Sequence, residues 1–295
     1  MGDKPELVGN KRWLAKFSGQ FIETDGFTRM GLTQHFGPLR VQRPFYPEGQ
    51  GCLHLYLLHP PGGLVGGDHL SINIDVESGA HVLMTTPSAG KIYRNISELS
   101  QGQYVSLRVG DGSILEYLPQ ENIIFDGADG ELSTCVDIYG NGLFVGWEIT
   151  CLGRYESQDA FETGRLKQSL RINHNNRPLF IENLTLVAPT ELQSGRAGFQ
   201  GKSVFGTFVI NADIMIDDEP LQQQLMIFQR RWNDEISATV EGHIVVALTQ
   251  KPGVFIARII GNKAEWLRRC FENLWSILRP QLLGRQACVP RIWRT

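Results

Sequence analysis

Leu70, Ile72, Ile74 and Val76 alternate with Ser71, Asn73 and Asp75, the period-two pattern of a strand with one face buried. The same alternation recurs in Val105, Leu107, Val109; in Leu132, Thr134, Val136, Ile138; and in Leu166, Gln168, Leu170, Ile172. Further strand-like stretches run from His243 to Thr249 and from Val254 to Ile260. Turn signals separate them: Gly110-Asp111-Gly112, Gly127-Ala128-Asp129-Gly130, Gly140-Asn141-Gly142 and Asn173-His174-Asn175-Asn176. Many short strands at this spacing predict a mainly β protein built as a sandwich, a barrel or a stack of coiled sheets.

The period changes to 3.6 twice, both times in the last third. Asp217 or Asp218 caps a predicted helix with Pro220 in its first turn and Leu221, Leu225, Phe228 and Trp232 on one face. A second starts at Asn262, with Glu265 three residues on as a capping-box partner, and carries Leu267, Phe271, Leu274, Trp275 and Leu278. Glu265 with Arg269, and Arg268 with Glu272, are i,i+4 pairs, and Pro280 is expected to end or kink the helix. Both apolar faces suit a protein core.

The run Pro60-Pro61-Gly62-Gly63-Leu64-Val65-Gly66-Gly67-Asp68-His69 joins two strand-like segments and is a loop shaped by its backbone. A strand follows it, which excludes a dinucleotide fingerprint, where a helix N-terminus must stand behind the glycines. Gly195-Arg196-Ala197-Gly198-Phe199-Gln200-Gly201-Lys202-Ser203 has the residues of a phosphate-binding loop at the wrong spacing and precedes a strand-like segment, Val204 to Ile210. Nucleotide hydrolysis is therefore not expected. No Gly-x-Ser-x-Gly elbow occurs.

Five further blocks complete the pattern. Thr85-Thr86-Pro87-Ser88-Ala89-Gly90-Lys91-Ile92-Tyr93-Arg94 and Leu118-Pro119-Gln120-Glu121-Asn122-Ile123-Ile124-Phe125-Asp126-Gly127-Ala128 follow the glycine-rich loop. Then come Cys151-Leu152-Gly153-Arg154, Phe161-Glu162 with Gly164, and the terminal Pro290-Arg291-Ile292-Trp293. Together, in this order and over nearly the whole chain, they resemble the urease accessory protein UreD family, called UreH in some systems. The resemblance implies a β-helix-like layering of sheets with two α-helices in the C-terminal third, and one domain over 1–295. It also implies a non-enzymatic scaffold and metallochaperone component that joins a UreF-type partner and a UreG-type GTPase, docks on apo-urease and assists nickel insertion. Ni²⁺ would then pass transiently through an internal polar tunnel, with no cofactor held tightly.

Composition narrows the alternatives. With 42% apolar residues in 295 the chain can bury a large core, and no apolar stretch reaches the roughly 20 residues that span a bilayer. The start lacks a basic region followed by an apolar one, and Cys52, Cys135, Cys151, Cys270 and Cys288 form no CxxC pair. Both features predict a cytosolic protein with free thiols and no membrane contact. Net charge is only −3 but uneven: between Gly110 and Arg165 eleven acids face two arginines, whereas from Lys263 onward seven basic residues face two acids. So acidic a centre suits a divalent cation or a basic protein surface and does not suit nucleic acid.

Candidate nickel-route residues are Asp68, His69, Glu121, Asp126, Glu148 and Glu162, and candidate cavity or partner residues are Tyr93, Arg94, Arg154, Arg291 and Trp293. Asp68 either approaches a cavity or closes a local turn. Arg94 either lines a cavity or pairs with Glu121 or Asp126. His59, Asp68, His69 and His81 offer a nitrogen and oxygen ligand set that nickel accepts, if adjacent strands bring them together. A different class of function, a β-rich hydrolase or lyase, would need paired carboxylates such as Glu148 and Glu162.

Overall fold

The structure, a computed structural model, describes residues 13–154, 157, 159–214, 218–239 and 243–294. From Asp68 the chain winds in coils. Asp68–Val76, Gln101–Val109, Asp129–Ile138 and Gly164–His174 pair in parallel in a first sheet. The strands between them, His81–Thr85, Ile114–Tyr117 and Leu143–Arg154, pair in parallel in a second. A narrow third face stacks Gly90–Ile92, Asn122–Ile124 and Thr150–Leu152, so the 12-residue strand Leu143–Arg154 serves two faces. This is the β-solenoid-like layering expected from the resemblance.

Further strands extend both sheets, antiparallel to their neighbours except that Trp13–Thr24 runs parallel to Asp68–Val76 and Leu53–Leu58 parallel to His81–Thr85. Trp13–Thr24 and Phe27–Phe36 add to one edge of the first and Arg177–Ala188 to the other; Val204–Ile210, Val254–Gly261 and Val245–Lys251 widen the second. The first sheet presents one face inward, and Asp68–Val76 alternates buried and accessible residues accordingly. The second sheet is covered on both faces. That is why His81–Thr85 is buried at every position, as a strand inside a layered protein should be.

One core fills the space between the sheets, and the other lies between the second sheet and the helices Glu219–Arg230 and Ala264–Leu283. The predicted apolar faces are the ones used: Leu221, Leu225, Phe228 and Trp232 on one side, Leu267, Phe271, Leu274, Trp275 and Leu278 on the other, all buried. Asp218 caps the first helix by accepting from Leu221 N at 2.9 Å; Asp217 lies outside the described residues. Two details of the second helix differ from expectation. Asn262 does not cap it, because its Oδ1 accepts from Ser203 N at 3.1 Å. Pro280 does not end it: the helix continues to Leu283 and closes on Gly284, whose φ of 61° is the left-handed cap that glycine adopts freely. Among the described residues no helix is long and apolar enough to cross a membrane.

Candidate functional site: a polar seam between the sheets

Register fixes which residues face one another. In the first sheet Phe17, Ile72, Val105, Thr134, Leu170 and Glu182 form one inward row, and Ala15, Leu70, Gln103, Leu132, Gln168 and Leu184 the next. In the second sheet Glu148, Thr207 and Arg258 stand side by side in one row. The polar members of these rows meet across the interface. Thr134 Oγ1 donates to Glu148 Oε1 at 2.5 Å and Gln168 Nε2 to Glu148 Oε2 at 3.1 Å, while Thr150 Oγ1 donates to Gln168 Oε1 at 2.9 Å. Thr207 Oγ1 donates to Glu182 Oε2 at 2.7 Å, and Arg258 Nε to Glu182 Oε1 at 2.8 Å.

A seam of polar groups thus crosses an otherwise apolar interface. A cavity of about 200 Å³ lies against it, lined by Glu148, Gln168, Glu182, Thr207 and Arg258 with Phe199 and Phe205. A smaller one of about 70 Å³, lined by His59, Gln103, Tyr117, Leu132 and Asn122, lies between the same sheets. Burial pushes the Glu148 carboxyl above its ordinary pKa; the Thr134 and Gln168 hydrogen bonds oppose this, and the charge of Glu182 adds to it. Burial also raises the Tyr117 phenol, and the Glu148 charge acts in the same direction, so the phenol faces the seam as a neutral group. Two carboxylates share the seam with one arginine.

On the far side of the second sheet lies a second polar cluster, which sequence reasoning missed. Arg279, 1% exposed, bonds two carboxylates at once. Its Nη1 and Nη2 donate to Glu48 at 2.6 and 2.8 Å, and its Nε and Nη2 donate to Glu116, fully buried, at 3.0 Å each. Trp275 Nε1 donates to Glu116 at 2.6 Å, His81 Nε2 lies 2.8 Å from Glu116, and His54 Nε2 lies 2.7 Å from Glu48. Arg279 also donates to the carbonyl of Gln286, tying helix to tail. Burial works to raise the pKa of Glu48, but the hydrogen bonds and charges of His54 and Arg279 win and hold it at about 2. Glu116 is likewise lowered against its burial by His81 and Arg279.

Donor atoms of Glu48, His54 and Cys288, and of Cys52, His81 and Glu116, lie within 4.8 Å of one another. Such sets resemble metal ligands in type. Here the guanidinium already supplies the positive charge, and burial pushes the Cys52 thiol far up, so it stays protonated. The cluster reads as a buried ionic junction.

The residues singled out from sequence fall in several places. Glu148 is in the seam. Asp68, 7% exposed, accepts from Val65 N at 2.9 Å and closes the turn of its glycine-rich loop, where its charge reaches His59. His69 lies on the outer side of the first sheet with its ring stacked on Tyr104, centroids 5.8 Å apart. His81 is in the junction, so the four-residue set His59, Asp68, His69 and His81 is divided between two sheets.

Beside the third face, Arg94 pairs with Asp126 at 2.6 Å, and Asp126 Oδ1 accepts from Glu162 N, Thr163 N and Thr163 Oγ1. Backbone and side-chain donation from Thr163 prevails over burial and lowers the pKa of Asp126. Tyr93 packs on Phe125, and Arg154 lies over that ring while pairing with Asp159. Glu121 faces Arg268 at 3.5 Å. Glu162 is exposed, whereas Glu148 lies between the sheets. At the end of the chain Trp293 is buried, its Nε1 donating to Thr85 Oγ1 at 2.8 Å, and Arg291 is exposed.

A signal for the seam stands in the pattern itself. Thr134 and Gln168 occupy positions that the period-two alternation assigns to the buried face. Glu116, Glu148, Glu182 and Arg279 have no local signal, because their side-chain partners are 14 to 231 residues away in sequence.

Fold and seam together define a layered, solenoid-like β protein with a polar seam between its sheets. The UreD urease accessory protein family model matches residues 15–294. The chain belongs to that family. It is 42% identical to the urease accessory protein UreD of Saccharophagus degradans over 97% of this chain and 94% of the relative. It is 39% identical to the UreD of Dechloromonas aromatica over 96% and 95%, and 40% identical to that of Chromohalobacter salexigens over 97% and 90%.

Proposed function

We propose that this chain acts as one unit, residues 1–295, in the cytoplasmic maturation of urease. In this role it joins a UreF-type accessory protein, a UreG-type GTPase and apo-urease in a hetero-oligomer and passes Ni²⁺ toward the urease active site. Nickel is cargo, held transiently, and the chain itself carries out no catalysis. The observation that carries the reading is Glu148: an acid between two apolar sheet faces, hydrogen-bonded by the neutral donors Thr134 and Gln168 and facing Glu182 across a cavity. Neutral partners leave its negative charge available to an ion. A polar lining also offsets part of the cost of stripping water from the ion, and holding it by few groups lets it leave again. His59 lines the smaller cavity and feels the charge of Asp68, which makes Asp68 a second contact on the same route in this reading.

The test is the nickel content of urease matured with a Glu148→Ala variant. We expect less nickel in urease while the accessory complex still assembles on gel filtration, and a larger loss when Asp68→Ala is added. Unchanged nickel content in the double variant, or loss of nickel only through loss of the complex, would overturn the reading.

A further inference from the structure

Glu182 and Glu148 border the same cavity but are partnered differently. Glu148 has neutral donors, whereas Glu182 is bonded by Arg258, whose Nη2 lies 2.7 Å from Oε1, as well as by Thr207. The arginine is unlike the rest of the seam because 49% of its side chain is exposed. Its strand, Val254–Gly261, places it at the end of the row Glu148–Thr207–Arg258, and its guanidinium rests over the Phe180 ring, 5.9 Å from the centroid. Moving it outward costs little desolvation, since half of it is already in water. Thr207 remains to hold Glu182 when it moves.

We infer that Arg258 is an exchangeable counter-ion that sets how long a divalent cation stays between Glu148 and Glu182. This rests on the passage reading given above. A cation entering the cavity needs oxygens from both acids, and those of Glu182 are bonded to Arg258. Binding therefore swings the guanidinium aside, and its return restores the neutral pair as the ion departs. Retention is weakened by the pair that must be broken, so the ion leaves readily. Without the positive charge, Glu182 would stand unpaired and hold the ion longer. Arg258 is a positioning residue in this scheme.

The experiment measures Ni²⁺ binding by calorimetry on the full chain in complex with its UreF-type partner, and nickel insertion into apo-urease, for four proteins: wild type, Arg258→Gln, Arg258→Lys and Glu148→Gln. We expect Arg258→Gln to bind Ni²⁺ roughly fivefold more tightly, the scale of a half-exposed ion pair, and to insert it more slowly. Arg258→Lys keeps the charge and should restore both values toward wild type. A purely structural pair would instead lower the thermal midpoint of Arg258→Gln and leave Ni²⁺ affinity unchanged or weaker; that result overturns the inference. If Arg258→Gln does not fold, Arg258→Lys decides alone: insertion and affinity near wild type support the charge, and a marked change in either overturns it. Failure of Glu148→Gln to reduce insertion would bring down the passage reading itself, whereas a reduced Glu148→Gln with an unaltered Arg258→Gln removes only the counter-ion.

Discussion

Replacing Arg279 by methionine keeps most of the buried volume and removes the charge that joins Glu48 to Glu116. Holding the Glu48 pKa at about 2 instead of 4.5 corresponds to about 3 kcal/mol of stability near neutral pH, shared between His54 and Arg279. Glu116, fully buried and also lowered, adds its own share. Breaking a buried pair by removing one partner typically costs 3–5 kcal/mol, so about 4 kcal/mol is expected for Arg279→Met at pH near 7. The pH dependence has a definite sign. A lowered carboxylate pKa stabilises above the unfolded value and loses that contribution as pH falls through the folded one. Wild type should therefore lose stability between about pH 4.5 and about pH 2. The variant has little of that contribution to lose, because protonation relieves its stranded carboxylates, so its deficit should shrink over the same window. Urea unfolding followed by the fluorescence of Trp275, whose ring centre lies 5.2 Å from the Arg279 guanidinium carbon, measures both quantities. Adding Glu116→Gln to Arg279→Met should recover part of the loss. A deficit under about 1 kcal/mol, or one that stays constant between about pH 7 and about pH 3, would refute the reasoning.

Glu148→Gln should lower nickel delivery while leaving the thermal midpoint unchanged or higher. Its raised pKa means the charge destabilises the fold above that value and the penalty disappears as pH falls through it, so a lower midpoint would contradict the assignment. Trp293→Ala should cost about 3–5 kcal/mol, since the indole packs against Trp147 and Trp275 and donates to Thr85. Deleting the last six residues should reduce soluble yield or partner binding, and normal folding and urease activation by the truncated chain would show the tail to be dispensable. GTP and ATP should not bind tightly, because Gly201-Lys202-Ser203 leads into the strand Val204–Ile210 rather than a helix. Sub-micromolar binding lost in Lys202→Ala, seen by calorimetry, is the contrary result.

The fold class was legible because it depends on local rules. Alternation over Leu70 to Val76 marks a strand wherever it lies, and Leu221, Leu225, Phe228 and Trp232 mark a helix face by spacing alone. Family membership was legible from ordered blocks of residues. Details that hang on one distant contact were not: Asn262 serves Ser203 instead of capping its helix, and the chain passes through Pro280 as helix until Gly284 closes it.

The same division applies to function. By itself the sequence determined a mainly β chain with two C-terminal helices, an acidic centre and no phosphate-loop spacing, because each of these is written in neighbouring residues. Only the tertiary structure decided how each acid is partnered. Glu116 and Glu148 belong to one acidic block, yet one meets Arg279 from 163 positions away and becomes part of a buried ionic junction. The other meets the neutral donors Thr134 and Gln168, and burial raises its pKa. An acid's role is set by what stands within hydrogen-bond reach and by how much water is excluded, and both are fixed by strand register across two sheets, which no local pattern encodes.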